Sequence, residues 1–449
     1  MKIGVYILNK NAKQTYKKEC YNVRTNAGME VVRDILRRAG YETEYCSSAT
    51  AHLFDVILFS VTSDCDFWPF IAERLRWQKG DYKVILGGAG VLNVRPFLPW
   101  VDYFVLGRAE NVIDKLIEGL ANDGEYEGPS VIRSKTFDPN KEYTINQVRE
   151  RYPHAIKLPD GSTYEEDIIG CNHKCFFCGY SWQRRPVLTG AFKYSGLWHG
   201  TIDRERAILD MDAGDPVDLN KLRTTAIDGL SERLRAIVNK KITNEMLIRF
   251  IQNLASCEKP HQLKLYNIVG YPTETEADWW EFRHVLEAAD KPLERREKQT
   301  CILLHSTPFR AMPATPMCCA PMSYKNYRRA IADALGKGMK GNIFFQGNSI
   351  WAVESMATES LPTVIQSAIV WRGTERDSYN FAKLAASKKF QRADAKTKQA
   401  TLEKYFDVAT LFGAYDMETV PTRYLKTYVD YKKIARQHFP QEGGGQHGS

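Results

Sequence analysis

Four short apolar runs occur in the first 110 residues, three of them stopping at glycine or a hydroxyl residue, with three helical patterns interleaved or following. No other feature restricts the fold as much. Lys2 to Leu8 is the first run. Phe54-Asp55-Val56-Ile57-Leu58-Phe59 is the second and ends in Ser60-Val61-Thr62-Ser63. Val84-Ile85-Leu86 ends in Gly87-Gly88-Ala89-Gly90, and Val101 to Leu106 runs into Gly107-Arg108-Ala109-Glu110. Between them, Met29, Val32, Ile35, Leu36 and Ala39 recur at helical spacing, with Gly40 where a helix C-terminus favours glycine. Phe70, Ile71, Leu75 and Trp77 mark a second helix, and Val112, Ile113, Leu116, Ile117 and Leu120 a third. Strands alternating with helices predict an α/β fold with a doubly wound parallel sheet over residues 1–125. Ligands on such sheets sit at the carboxyl ends of the strands, so Ser60, Thr62, Gly87, Gly88 and Gly107 are candidate binding residues.

The second constraint is chemical. Cys171-Asn172-His173-Lys174-Cys175-Phe176-Phe177-Cys178 puts three thiols at a CxxxCxxC spacing. Thiolates are soft ligands for iron–sulfur clusters or zinc. Three in one loop can hold three irons of a cubane and leave the fourth iron to a cosubstrate. A structural zinc would need a fourth ligand, from His173 or a distant cysteine. The ten cysteines lack the even framing of small secreted proteins, and an oxygen-sensitive cluster needs a reducing compartment, so a cytoplasmic location is expected. Neither a signal-peptide pattern at Met1-Lys2-Ile3-Gly4 nor a long apolar segment is present, so no membrane partner is expected. A formal charge of +8, spread along the chain, suits an acidic substrate or nucleic acid without selecting either. The densest basic stretch, Lys388 through Lys404, is explained by a solvated helix face.

The CxxxCxxC spacing, with Phe177 just before its last cysteine, resembles the cluster loop of radical S-adenosylmethionine (SAM) enzymes. The resemblance implies that Cys171, Cys175 and Cys178 ligate a [4Fe-4S] cluster whose open iron is chelated by the amino and carboxylate groups of SAM. An electron from an external donor such as flavodoxin or ferredoxin then cleaves SAM to a 5'-deoxyadenosyl radical. It also implies a partial (β/α)6 barrel, here at 161–320 after a linker at 126–160. Residues 207–215 stand as a strand and turn in place of the family's GGE motif, with Asp212 and Gly214 toward SAM. Ala226 to Arg235 is similar to the fourth-strand segment, with Asp228, Ser231 and Arg235 as contacts to the ribose or carboxylate, while Ser231 to Arg235 also reads as an ordinary helix start capped by Ser231. Leu263 to Gly270 is similar to the fifth strand, with Val269 and Gly270 flanking the adenine. Ile302 to Phe309 and Met312 to Pro316 resemble the final-strand region.

Val84 to Gly88 and Val101 to Gly107, with Glu110, resemble the flavodoxin- or Rossmann-like cobalamin-binding domain that precedes the barrel in one radical SAM class. The family's DxHxxG motif is absent, so no histidine from it is expected below cobalt. The alternative is a degenerate flavodoxin-like domain that only packs on the barrel. A fainter similarity, through Cys20-Tyr21-Asn22, Ala39-Gly40-Tyr41-Glu42 and Cys65, leads to methylthiotransferases. That family's third N-terminal cysteine is missing near Gly87-Gly88. Adjacent Cys318 and Cys319 cannot easily share one metal. Residues 321–440 read as a helical cap beside the barrel mouth, and 441–449 as a flexible tail. The function these features imply is a cobalamin-dependent methyltransferase acting on an unactivated carbon of a small-molecule, peptide or nucleic-acid-derived substrate. The alternatives are a cobalamin-independent radical rearrangement or cleavage enzyme and, outside enzymes, a zinc-stabilised binding module.

Overall fold

The computed structural model describes residues 1–8, 27–62, 64–77, 80–158, 161, 163–166, 169–171, 173–186, 207–219, 221–256, 262–290, 301–323, 331, 335 and 361–439. Cys20 and its neighbours lie outside the described residues.

The N-terminal elements are β1 (Ile3–Tyr6), α1 (Ala27–Arg38), β2 (Thr43–Tyr45), β3 (Val56–Ser60), α2 (Phe67–Arg76), β4 (Lys83–Gly87), β5 (Tyr103–Val105), α3 (Ile113–Asn122) and β6 (Val131–Arg133). They form one six-stranded sheet in the order β2-β1-β3-β4-β5-β6, with β1 to β5 parallel and β6 antiparallel to β5. The central strands are apolar on both faces because both are covered. Val5, Leu58, Ile85 and Val105 pack under α1 and α3, against Met29, Leu36, Leu116 and Ile117. Ile57, Phe59, Leu86 and Phe104 face the other way, toward α2. β2 escapes sequence reading because Thr43-Glu44-Tyr45 is a polar, half-exposed edge with no apolar run. β6 comes from the stretch assigned to the linker, so the sheet extends past residue 125.

Next come β7 (Tyr143–Thr144), a small antiparallel pair of β8 (Ile156–Lys157) and β9 (Thr163–Tyr164), and the short α4 (Gly179–Gln183). A second sheet is built from β10 (Thr224–Ala226), β11 (Gln262–Val269) and β12 (Cys301–Pro308), all parallel. Its helices are α5 (Glu232–Ile237), α6 (Asn244–Ala255) and α7 (Glu276–Asp290). Leu263, Leu265, Ile302 and Leu304 pack with Phe250 and Phe282 in a second core. The opposite strand face, carrying Lys264, Tyr266, His305 and Thr307, is half-buried. Three parallel strands are thus present among the described residues where six barrel units were expected.

Residues 207–212 are helical, not a strand. Gly214 adopts φ +83°, its N–H donates to Met211 O (3.1 Å), and Asp215 N–H donates to Asp210 O (2.8 Å). That is a Schellman helix end. Periodicity over so short an apolar stretch cannot separate strand from helix, which is why the sequence misleads here.

The chain ends with α8 (Leu361–Arg372), α9 (Glu375–Ala386), α10 (Lys388–Arg392), α11 (Ala395–Tyr405), α12 (Val408–Phe412), β13 (Leu425–Lys426) and α13 (Tyr431–His438). The helical expectation holds for these residues, and Lys388, Lys389, Lys396 and Lys404 are exposed. These helices share a core with the thiol-loop region, through Phe176, Trp182 and Phe309, and reach the first sheet as well. α8 and α9 share one core with the α2 face of the N-terminal sheet. Phe381 packs against Phe67 and Trp68, and Trp100 Nε1–H donates to Ser378 Oγ at 2.8 Å. Tyr424 OH donates to Leu92 O and accepts from Val94 N–H, both at 2.9 Å. β13 pairs with β7. Asp64 ties three regions together, because it accepts from Arg310 and from Ser367 Oγ while its carbonyl accepts from Gln366. Among the described residues no helix is long and apolar enough to cross a membrane.

Candidate functional site

A cavity of about 170 Å³ opens at the carboxyl ends of β3, β4 and β5. Its walls are apolar: Met29, Val31 and Val32 of α1, Leu58, Ile85, Val105 and Ile113. Of the five residues expected at these strand ends, Ser60, Gly87, Gly88 and Gly107 line it. Thr62 does not; its hydroxyl and N–H both donate to Asp66 Oδ2, at 2.7 and 2.8 Å. The glycines have different reasons to be there. A Cβ on Gly88 would stand 2.3 Å from Val61 O, and one on Gly107 would stand 2.5 Å from Asn146 O, with φ at +105° and +84°. Their own backbone neighbours demand glycine. Gly87 meets nothing closer than Val105 O at 3.6 Å, so its missing side chain keeps space in the cavity.

Charged groups gather at the mouth. Arg108 holds Glu166 through two bonds of 2.5 and 2.7 Å and also pairs with Glu110. Burial works against the Arg108 charge, but the two carboxylates more than offset it and raise its pKa. Tyr164 stands beside them, its hydroxyl pushed up by burial and then by Glu166. Tyr164 and Glu166 were not anticipated, and neither was the contribution of α1. Gly28 in its first turn, beside Met29, was the only signal.

The thiol loop lies next to this mouth. Burial pushes the Tyr180 hydroxyl up to about 12, and the charges of Arg184, Glu166 and Cys171 all reach it. Asn146 Nδ2–H donates to Arg108 O at the mouth, and the next residue, Gln147, donates from Nε2 to Gln183 O at 2.6 Å, which ties the helix after the thiols to the mouth. Gly170 and Lys174 turn the loop with φ of +68° and +55°. Cys175 is buried, while Cys171 and Cys178 are half-buried. His173 N–H points to Cys171 Sγ at 3.4 Å, and Trp182 Nε1–H holds Cys175 O at 2.8 Å. Phe176 N–H donates to Val238 O, and Asn239 Nδ2–H donates to Lys174 O. Phe177 packs at the edge of the main core. Among the described residues no group of three or more His, Cys, Asp or Glu side chains is gathered so as to hold one metal ion. Thiolates sharing a single zinc must stand ~3.8 Å apart, given bonds of about 2.3 Å in a tetrahedron. A cubane spreads its thiolates over separate irons and places no such demand. Three thiols on one turned loop, one receiving an N–H, are a soft donor set.

The loop is docked against the end of β10. Asp228 sits there with φ +53°, a left-handed conformation that side chains other than glycine rarely adopt. Its Oδ2 pairs with Lys240 Nζ at 2.7 Å, and both residues are buried. Burial pushes the Cys175 thiol well up, and the Lys240 charge pulls it down. Tyr271 OH donates to Asp228 O at 2.8 Å, which brings the end of β11, with Val269 and Gly270, to the same place. Gly270 and Tyr271 N–H both donate to Glu274 Oε2.

The other expected SAM contacts lie elsewhere or are already engaged. Ser231 caps α5, accepting from Leu234 N–H at 3.1 Å, and donates to Asp278. Arg235 is fully buried; it donates to Ile242 O (2.6 Å), Gly229 O (2.9 Å), Leu230 O (3.2 Å) and Asn244 Oδ1. Burial lowers its pKa to about 10. Both residues hold the turn that carries Asp228. Asp212 pairs with Arg249 of α6, away from the thiol loop, and Gly214 ends its helix. Cys318 and Cys319 keep their sulfurs 3.8 Å apart, beside Arg372.

No protein-family model matches the chain, and no curated protein matches it.

Proposed function

We propose that this chain is a radical SAM enzyme whose N-terminal domain takes a corrinoid, and that it methylates an unactivated carbon. One observation carries the reading: the strand-end cavity and the helix that follows the three thiols are tied together through Asn146 and Gln147, which bond Arg108 O and Gln183 O. Bound there, a [4Fe-4S] cluster with SAM would supply a 5'-deoxyadenosyl radical and the corrinoid a transferable methyl group.

The chain's own residues would hold and shield these groups. Cys171, Cys175 and Cys178 are the iron ligands. The His173 N–H aimed at Cys171 Sγ stabilises a thiolate. Asp228 and Lys240 beside Cys175 offer a carboxylate and an ammonium to a polar cosubstrate, and backbone at Val269 and Gly270 forms the neighbouring wall. The apolar cavity takes a ring about the size of cobalamin's lower base, since one of about 150 Å³ takes benzene. The macrocycle itself is too large and would lie across the mouth. The DxHxxG motif is absent from the sequence. That same absence favours a second reading, a radical rearrangement or cleavage that needs no corrinoid. Either reading calls for an external electron donor such as flavodoxin or ferredoxin and a reducing, cytoplasmic setting.

Anaerobic loading with iron and sulfide, followed by incubation with SAM and reductant, tests the first part. A brown chromophore and 5'-deoxyadenosine are expected, and the Cys171/Cys175/Cys178→Ala variant should retain neither. A colourless, zinc-loaded protein would leave only the binding-module alternative. Hydroxocobalamin that is not retained after desalting, by protein with an intact cluster, would select the corrinoid-free reading.

A further inference from the structure

Arg184 follows the thiol loop by six residues; its carbonyl lies against Gly170 at the start of that loop, and the next residue, Arg185, donates its N–H to Gln147 Oε1. The charges that bear on it belong to Tyr180, Arg108, Cys178 and Glu166. Its guanidinium lies over the Tyr180 ring, 4.5 Å from the centroid, and the residue is half-buried. Among the described residues it has no hydrogen bond and no ion pair through its side chain. Three other enclosed arginines each have several acceptors: Arg108 two carboxylates, Arg235 three carbonyls and an amide, and Arg372 three carbonyls, with only its Nε–H unmatched. Glu166, the nearest acid, already takes two bonds from Arg108 and one from Tyr152 N–H.

An arginine cannot shed its proton, and a charge drawn out of water without a partner is costly. Burial, with Arg108 close by, disfavours the Arg184 charge. Stacking on Tyr180 fixes the plane of the fork while leaving its donors open. A planar fork so held is matched by a carboxylate or phosphate, which accepts two parallel N–H bonds. We propose that Arg184 anchors an oxyanion, carboxylate or phosphate, on the molecule this protein modifies. The inference rests on the reading above and narrows it, because it selects acidic substrates and places their charged end beside the thiol loop.

Arginine-specific labelling of the full chain with phenylglyoxal, located by mass spectrometry, tests this directly. Arg76, an exposed residue, should react under all conditions, and Arg235 under none. Arg184 should react in neutral buffer. Benzoate or inorganic phosphate should slow it at least about tenfold, as a charge-assisted fork would, while neutral benzamide should not. The stronger of the two anions identifies the oxyanion as carboxylate or phosphate. Arg184→Met, which keeps the stacked stem, should lose the protection-linked binding of benzoate or phosphate and keep its melting temperature. The proposal fails if Arg184 is inert without anions, if neither anion protects it, if SAM alone protects it, or if Arg184→Met melts markedly lower. Failure of the radical SAM reading would be seen separately, as no iron chromophore after anaerobic loading, because phenylglyoxal reports on the guanidinium itself.

Discussion

The two parallel sheets treat their strand ends and their faces differently. The N-terminal sheet leaves a cavity where β3, β4 and β5 end, and one of its faces is covered partly by helices from the far end of the chain. The second sheet is covered by its own α6 and α7, and its strand ends are closed by Asp228, Lys240, Tyr271 and Arg235. An open strand end is a place for a ligand as it stands. A closed one binds only through the groups its internal bonds leave over. The same α/β logic thus yields a receptacle in one sheet and a platform in the other, and the thiol loop is docked on the platform beside the receptacle.

Removing the shared cover should have the largest effect. A chain ending at Pro321 loses Ile369, Trp371 and Phe381 from the main core, along with the Phe381 contacts to Phe67 and Trp68. Each such side chain contributes roughly 1.5–3 kcal/mol by burial, so these three alone rival the ~5–15 kcal/mol that hold a typical domain. The truncated protein is expected to lose its near-ultraviolet circular dichroism. A cooperative melt would show instead that the N-terminal sheet is independent.

Arg235→Met comes next. It strips three buried carbonyls and Asn244 of their donor and should cost about 3–5 kcal/mol in urea titration. If stability stayed level while SAM binding vanished, Arg235 would be a ligand residue, as the family resemblance implies, and the second sheet would be as open as the first.

Two neighbouring glycines then test the receptacle. Gly88→Ala drives a methyl into Val61 O at a left-handed φ and should cost ~1–3 kcal/mol. Gly87→Ala meets only ordinary contacts, so its stability should stay within about 0.5 kcal/mol while retention of hydroxocobalamin falls. Equal effects on retention without a difference in stability would mean that both glycines serve the ligand.

The N-terminal sheet was legible because its strands are continuous apolar runs and its strand ends are marked by glycine. β2 was not, since an exposed edge strand needs no apolar residues. The thiol loop was legible from spacing alone, but its surroundings were not. The order of residues allows Ser231 as a helix cap and as a ligand alike, and its partners show the cap, but nothing in that order says that Arg235 clamps the preceding turn. Residues 207–212 misled for a related reason, being too short a run for period to decide. Tyr164 and Glu166 could only be found by folding, since the connector brings them to the cavity mouth from outside the repeating pattern.

The Asp64 knot has a consequence for how the protein is made. Its partners follow it by 246 residues at Arg310, 302 at Gln366 and 303 at Ser367. At a synthesis rate of about 5–20 residues per second, roughly 15–60 seconds separate Asp64 from the last of them. Throughout that interval the α2 face of the first sheet waits without its cover. Nascent chains should therefore depend on chaperones at this stage, and slowed translation of the last third should raise aggregation more than slowed translation of the first.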